Sequence, residues 1–435
     1  MNGERVGDWR RPASGGQEFL YAESWLSSPH ARPISLSLPL RPSREPYRDG
    51  VEVFFDNLLP DNRQIRERIQ RRFHTPSLGA FDLLEEIGRD CVGALQLVPQ
   101  DQLPANIRQI TAERLTPSGV EQLLRRSLGS VFAQEESSDD TFRISLAGAQ
   151  EKAALMFRGG AWYRPTGTTP TTHILKLPLG VSPQGIDLST SVENEWLCSE
   201  IVRAYGIDVA RCWIESFGEY KTLVVERFDR RLAAGDKWYL RLPQEDLCQA
   251  TVTPAGLKYE SDGGPGIGAI MELLLGSDQA AEDRREFLRT QLVFWMLAAI
   301  DGHAKNFSVF LLPAGAYQLT PRYDILSAYP VLGHGRGKLS PHKIKMAMAV
   351  TGKNRHYRWM EIRARHWLET AKRCGLGEMR IVLQDTIDKT SDVIRQVQGR
   401  IPKGFPNQIA DSILEGVKLR SQQLAEELAE QVNSD

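Results

Sequence analysis

The sequence predicts an α+β fold: a mixed α/β part first, a strand-rich part next, and a helical part last. Three observations predict it. Between Phe142 and about Leu242, short apolar and β-branched runs alternate with turn residues. Beyond Leu242, apolar residues recur mostly at helical spacing. Ahead of both, strand-like runs flank helical patterns as far as about Leu128. The expected division is 1–128, 129–242 and 243–435.

The first part contains two strand-like runs, Pro33 to Leu38 and Gly93 to Val98. Asp61-Asn62-Arg63 opens a helix whose Arg63, Arg66, Arg68, Arg71 and Arg72 read as a solvated face. The acidic, serine-rich stretch from Gln134 to Asp140 reads as an exposed linker. In the second part, Glu151 to Phe157 is an apolar strand, Gly159-Gly160 a turn, and Ala161 to Arg164 the returning strand. Thr172 to Leu177 is a strand carrying one lysine, Lys176. A capped helix from about Ser189 to Tyr205 carries Glu193 and Glu195, and two strands follow, Cys212 to Phe217 and Lys221 to Arg227. In the third part, Glu282 to Ile300 is apolar on more than one face near its end, which marks a buried core helix. Short strands follow at Phe307 to Leu311 and Tyr317 to Thr320, and Asn407 to Val432 is a terminal helix with one apolar stripe.

Composition narrows the function classes. The 435 residues carry 54 Lys+Arg against 55 Asp+Glu, so any contact with nucleic acid rests on a local patch. No apolar run is long enough to cross a bilayer, and the opening MNGERVGDWRRP has no signal-peptide core. Five scattered cysteines without a CxxC pair argue against a zinc ribbon and a disulfide framework. The expectation is a cytoplasmic protein with no membrane association.

The sharpest chemical signal is Asp301-Gly302-His303-Ala304-Lys305-Asn306, directly after the buried helix. Protein kinases use this spacing, with the Asp handling the acceptor hydroxyl and the Asn holding a metal ion on the phosphates. A second aspartate, Asp324, follows a short hairpin, where kinases place the Mg²⁺-binding acid. Alone, the spacing also fits an Asp and an Asn capping turns. Here it lies downstream of Lys176 on a strand and of Glu195, or Glu193, on a helix, in the order a kinase needs. The small residues of Ser145-Leu146-Ala147-Gly148-Ala149-Gln150-Glu151-Lys152 would let backbone N–H groups approach phosphates, although this is neither a Walker A motif nor a GxGxxG loop. Glu226-Arg227-Phe228 ends the last small-lobe strand, where a backbone hinge would read an adenine edge.

The runs ISLAGAQEKAAL, PTTHILKLP, VVERFDRR, RLPQEDLCQ, KYESDGGPGI and DGHAKNFSVF, with FFDNLLPD and LLEEIGRDCVGAL, resemble the HipA family over nearly the whole chain. These are serine/threonine kinase toxins of bacterial toxin–antitoxin modules. The resemblance implies a protein-kinase-like two-lobed fold with an added N-terminal α/β subdomain, and ATP and Mg²⁺ as cofactors. It implies that Asp301 is catalytic, that Asn306 and Asp324 hold the metal, and that Lys176 meets the ATP phosphates. It places Ala147, Gly148, Ala149, Gln150, Glu151 and Lys152 in the phosphate loop and Glu226, Arg227 and Phe228 in the hinge. His303, Ala304, Lys305, Asn306 and Tyr323 complete the nucleotide pocket, and Ser145 matches the autophosphorylated serine. The implied partners are a HipB-type helix-turn-helix antitoxin, operator DNA reached through that complex, and a protein substrate of the aminoacyl-tRNA synthetase class. The basic stretch Lys353 to Arg373, with interleaved aromatics, is the candidate for this chain's own DNA contacts. The resemblance favours Lys372 and Arg373 within it. A helix face with charges outward and tryptophans inward would also explain that stretch. Two rival readings are a small-molecule or phosphoinositide-like kinase and a catalytically inactive DNA-bound corepressor.

Overall fold

The computed structural model describes residues 1–41, 45–100, 102, 106–128 and 152–432, so the expected linker from Gln134 to Asp140 lies outside the described residues. The chain forms two compact units. One comprises Met1–Leu177, Glu215–Gly256 and Ser308–Tyr317, and the other Pro178–Ile214, Leu257–Phe307 and Gln318–Asp435.

The first unit holds most of a six-stranded sheet. Its order is Ala112–Leu115, Ala161–Pro165, Lys152–Arg158, His173–Lys176, Tyr220–Glu226 and Cys212–Phe217. Ala153, Ala154, Leu155 and Met156 are all buried, so this strand is covered on both faces, as a continuous apolar run predicts. Lys176 sits opposite Lys152 on one side and opposite Leu223 on the other.

A second core in the same unit gathers Phe19, Trp25, Leu38, Val51, Phe54, Phe55, Leu83, Leu84 and Ile87. The expected strand at Pro33 to Leu38 is instead a loop with a single bridge, Ser35 to Leu38. The expected strand at Gly93 to Val98 is also a loop. The physical reason is similar in both places: side chains and local turns, not neighbouring strands, take up backbone N–H groups, and in each run one of them goes to a buried acidic side chain. Glu245 accepts from the Leu36 N–H at 2.7 Å and from the Ser35 hydroxyl at 2.5 Å. Asp229 accepts from the Gly93 N–H at 2.7 Å. A Cβ on Gly93 would lie 2.7 Å from the Gln244 carbonyl oxygen, so only glycine permits this approach.

Around Asp229 lies a buried ionic cluster. Asp90 and Asp229 face Arg227, Arg230 and Arg241, with every one of these side chains at least nine-tenths buried. Thr171 donates to Asp90 at 2.7 Å, and Arg227 and Arg230 both donate to the Cys91 carbonyl. The cluster accounts for VVERFDRR and for the Asp90 of LLEEIGRDCVGAL. RLPQEDLCQ is likewise structural: Asp246 and Gln249 form a capping box, and the Gln249 amide also donates to the Phe54 carbonyl at 3.0 Å.

The second unit is built on the Ala280–Met296 helix, whose Phe287, Leu288, Leu292, Trp295 and Met296 are at most 1% exposed. The helix stops before the expected Ile300 because Ala298 turns left-handed, at φ 49°. The indole N–H of Trp295 donates to the Trp359 carbonyl at 3.0 Å, and that of Trp359 to the Trp295 carbonyl at 2.8 Å. The region expected to be mostly helical also holds strands at Gln244–Asp246, Lys345–Thr351 and Arg355–Arg358. The basic stretch is therefore not one helix. It is the Arg355–Arg358 strand, a turn at Trp359–Glu361 and the Ala364–Arg373 helix. Trp359 and Trp367 point inward and are buried. Among the described residues, no helix is long and apolar enough to cross a membrane.

Candidate active site

The Asp301–Asn306 loop hangs from the end of the Ala280–Met296 helix. A Cβ on Gly302 would lie 2.7 Å from the Phe294 ring, so the chain can pass this close to the core helix only as glycine. The His303 N–H donates to the Asp301 carbonyl at 2.8 Å, and the Ala304–Asn306 turn follows. The Asn306 amide then donates back to the Asp301 carbonyl at 2.9 Å and closes the loop. His303, Lys305 and Asn306 are buried, whereas Asp301 is exposed. A carboxylate thus reaches solvent from a loop whose other polar side chains are packed.

The second aspartate is held by the same helix. Arg322, buried, donates to the Thr290 hydroxyl at 3.1 Å. The Ser327 hydroxyl donates to the Leu297 carbonyl at 2.6 Å. Asn194, from the Ser191–Ala204 helix, holds the Ser327 backbone at both ends, each at 2.8 Å. Between these anchors Asp324 adopts a left-handed conformation, φ 61°, uncommon for a residue with a side chain. The neighbouring Tyr323 hydroxyl donates to the Lys305 carbonyl at 3.1 Å, tying this stretch to the Asp301 loop.

Burial pushes the His303 imidazole below its usual range; Asp301 and Asp324 pull the other way and Lys258 adds to the fall. Burial thus favours the neutral imidazole, and its buried Nδ1 finds no hydrogen-bond partner among the described residues. The charges of Asp301, Asp324 and Lys258 converge on this one ring.

Tyr259 completes this group; in the sequence nothing but the KYESDGGPGI run marks it. Its hydroxyl donates to Asp301 Oδ1, and its ring meets the His303 ring edge-on at 5.1 Å.

The remaining expected residues fall as follows. In the first unit, Lys152 and Lys176 are directly opposite across antiparallel strands and so share one face of the sheet. Arg227 is consumed by the ionic cluster, and its N–H and carbonyl are bonded to the Thr172 carbonyl and the Arg230 N–H. Glu226 and Phe228 flank it, with the Phe228 ring edge-on to Phe310. In the second unit, Glu193 and Glu195 are both buried on their helix. Lys372 and Arg373 end the Ala364–Arg373 helix, and Arg373 pairs with Glu369 at 2.7 Å. Arg355, Arg358 and Arg363 pair with Glu260, Glu361 and Glu427. Ser145, Ala147, Gly148, Ala149, Gln150 and Glu151 lie outside the described residues.

Comparison with known proteins identifies the family. Residues 1–98 match the HipA N-terminal domain model and residues 144–403 the HipA-like C-terminal domain model. The chain is 33% identical over 429 residues to the putative kinase Y4mE of Sinorhizobium fredii, covering 96% of both. It is 29% identical over 323 residues to the serine/threonine-protein kinase toxin HipA of Shewanella oneidensis, covering 71% of this chain and 69% of that one. The solved complex of Shewanella oneidensis HipA with HipB and operator DNA shares the fold, with a TM-score of 0.79 at 22% identity, over 98% of this chain and 96% of that one. With one family model spanning more than half of its length and a relative at 33% identity nearly end to end, the chain belongs to the HipA family.

Proposed function

We propose that the chain is an ATP- and Mg²⁺-dependent serine/threonine protein kinase and the toxin of a toxin–antitoxin module. The observation that carries this reading is the closed Asp301–Asn306 loop, which presents one solvent-reaching carboxylate beside a second aspartate in a constrained backbone. The names of the relatives support it.

The residues fit the groups they would hold. Lys152 and Lys176 stand directly opposite on one sheet face, and two ammonium groups so placed suit a polyphosphate. His303 brings an orphaned buried ring nitrogen that suits a polar nucleotide edge. Asp324 and Asn306 supply the hard oxygen donors Mg²⁺ prefers. Bound Mg²⁺ would draw negative charge from the phosphate oxygens.

In the mechanism, Asp301 orients the serine or threonine hydroxyl and takes its proton as the oxygen attacks the γ-phosphorus and ADP leaves. Lys152 and Lys176 counter the phosphate charge. Because Arg227 is spent in the ionic cluster, contact with the adenine falls to the Glu226 and Phe228 backbone. Lys305 and Tyr323 belong to the nucleotide pocket, tied together by the bond from the Tyr323 hydroxyl to the Lys305 carbonyl. The substrate belongs to the aminoacyl-tRNA synthetase class, whose loss of activity would arrest translation and growth. Ser145 is the autophosphorylation site and off-switch, where added negative charge beside Ala147 to Glu151 would repel ATP. The partners are a HipB-type antitoxin and operator DNA, with Lys372 and Arg373 on the phosphate backbone. The working location is the cytoplasm, at the nucleoid when DNA is bound.

The test is transfer of labelled γ-phosphate to protein by the wild type and by Asp301→Asn. Transfer should fall by about 10²–10⁴-fold with the fold intact. Equal transfer would overturn the reading, and label appearing only in small molecules would redirect it to another class of acceptor.

A further inference from the structure

An aspartate that handles a substrate proton must present one particular oxygen. The Asp301 side chain is exposed, and two rotatable bonds separate its carboxylate from the loop. The loop's own hydrogen bonds fix only its backbone, through the Asp301 carbonyl. Among the described residues, the Asp301 carboxylate accepts a hydrogen bond from the Tyr259 hydroxyl at Oδ1.

Tyr259 is held from several sides. Its carbonyl accepts from the Asp262 N–H at 3.0 Å and from the Gly264 N–H at 2.9 Å. Its neighbour Glu260 accepts from the Ala349 N–H at 2.6 Å and pairs with Arg355 at 3.5 Å. A Cβ on Gly266 would lie 2.1 Å from the Glu260 carboxyl carbon, so the loop closes tightly against that side chain. The ring rests edge-on against buried His303. A side chain anchored in this way is a fixed strut and not a stand-in that a substrate hydroxyl would push aside.

We propose that Tyr259 is the positioning residue of the phosphoryl-transfer centre: it holds Asp301 by Oδ1 and thereby turns Oδ2 toward the acceptor hydroxyl. The proposal rests on the reading of Asp301 as catalytic. In this role Tyr259 acts through the carboxylate of Asp301. A carboxylate without this strut samples other rotamers, and small misplacements of a reacting group cost up to about 100-fold in rate.

The experiment compares the wild type, Tyr259→Phe, Asp301→Asn and the double variant, all as the full chain. Tyr259→Phe keeps the ring on His303 and removes only the hydroxyl, so its thermal unfolding should match the wild type. Its kcat should fall about 10–100-fold while KM for ATP stays unchanged. In the Asp301→Asn background, the second change should lower kcat by less than about twofold, because the strut has nothing left to orient. In the nucleotide-free protein, 3-fluorotyrosine placed at 259 should change its fluorine resonance when Asp301 becomes Asn. If Asp301→Asn is inactive but Tyr259→Phe turns over like the wild type, positioning by Tyr259 is refuted while the catalytic reading stands. A Tyr259→Phe variant that is faster than the wild type would make the tyrosine a competitor and also refute it. Full activity of Asp301→Asn would sink the catalytic reading itself.

Discussion

The side-chain amide of Asn306 donates to the backbone carbonyl of Asp301 at 2.9 Å, so the two ends of the candidate catalytic loop are joined directly. This bond gives the four-residue spacing a mechanical meaning. A shorter loop would strain the closure and a longer one would leave the carbonyl unmet. It also leaves the Asn306 side-chain oxygen as the end of the amide that can face a cation.

The first prediction concerns Asp324. Asparagine tolerates the left-handed region nearly as well as aspartate, whereas alanine pays about 1–2 kcal/mol there. Asp324→Asn should unfold at the wild-type temperature yet bind Mg²⁺–ATP much more weakly. Asp324→Ala should lose both nucleotide affinity and stability. Calorimetry with nucleotide titration separates the two effects, and equal melting of the pair would show that the backbone is not strained.

The second concerns Asp90. Burial alone would raise its pKa, but Arg230, Arg227 and Arg241 hold the carboxyl well below the usual range. Asp90→Asn keeps the shape, leaves Arg227 and Arg230 to share Asp229, and takes away the carboxylate that pairs with buried Arg241. Breaking a buried pair this way costs about 3–5 kcal/mol. Chemical denaturation should register that loss. In the wild type, the contribution of Asp90 is present above the unfolded carboxyl pKa near 4 and is lost as pH falls through its lower folded value.

The third concerns Glu245, whose pKa burial pushes up to about 8 against its bonds to Leu36 and Ser35. The folded state therefore keeps a proton that the unfolded state releases above pH of about 4.5. Stability from this group is full below that pH and declines as pH rises toward 8. Glu245→Gln should flatten that decline and stabilise the chain at pH 8, since the amide oxygen can accept from the Leu36 N–H and the amide NH2 can donate to the Ser35 oxygen, with no charge to bury. Parallel unfolding curves for the two proteins across pH 5–8 would refute it.

The fourth concerns DNA. Lys372 and Arg373 stand at the end of one helix, but Arg373 already pairs with Glu369. Lys372→Glu should weaken operator binding by the antitoxin complex and reduce the log–log salt slope by about one unit. Arg373→Glu should do the same and also destabilise the helix end, because it sets two glutamates four residues apart. An unchanged slope in both would move the interface elsewhere.

Sequence legibility tracks how local each interaction is. The Asp301 loop, its parent helix and the His173–Lys176 strand are readable because their signals lie within a few neighbouring residues. The Pro33 to Leu38 and Gly93 to Val98 runs misled because their backbone partners, Glu245 and Asp229, lie far along the chain. Tyr259 was hidden for the same reason, since its bond to Asp301 spans 42 residues. The interleaved tryptophans of the basic stretch fit either reading in sequence, because the hydrogen bonds that Trp359 exchanges with Trp295 span 64 residues.

The Asp90 cluster bears on how such a chain can be reshuffled. Residues 1–98 and 144–403 match separate family models, yet Asp90 comes from one and Arg227, Arg230 and Arg241 from the other. Recombining either segment with an unrelated partner would strand charges in a sealed interior. Exchange between lineages is therefore silent only when acid and arginines travel together, and the two segments are expected to be inherited as one.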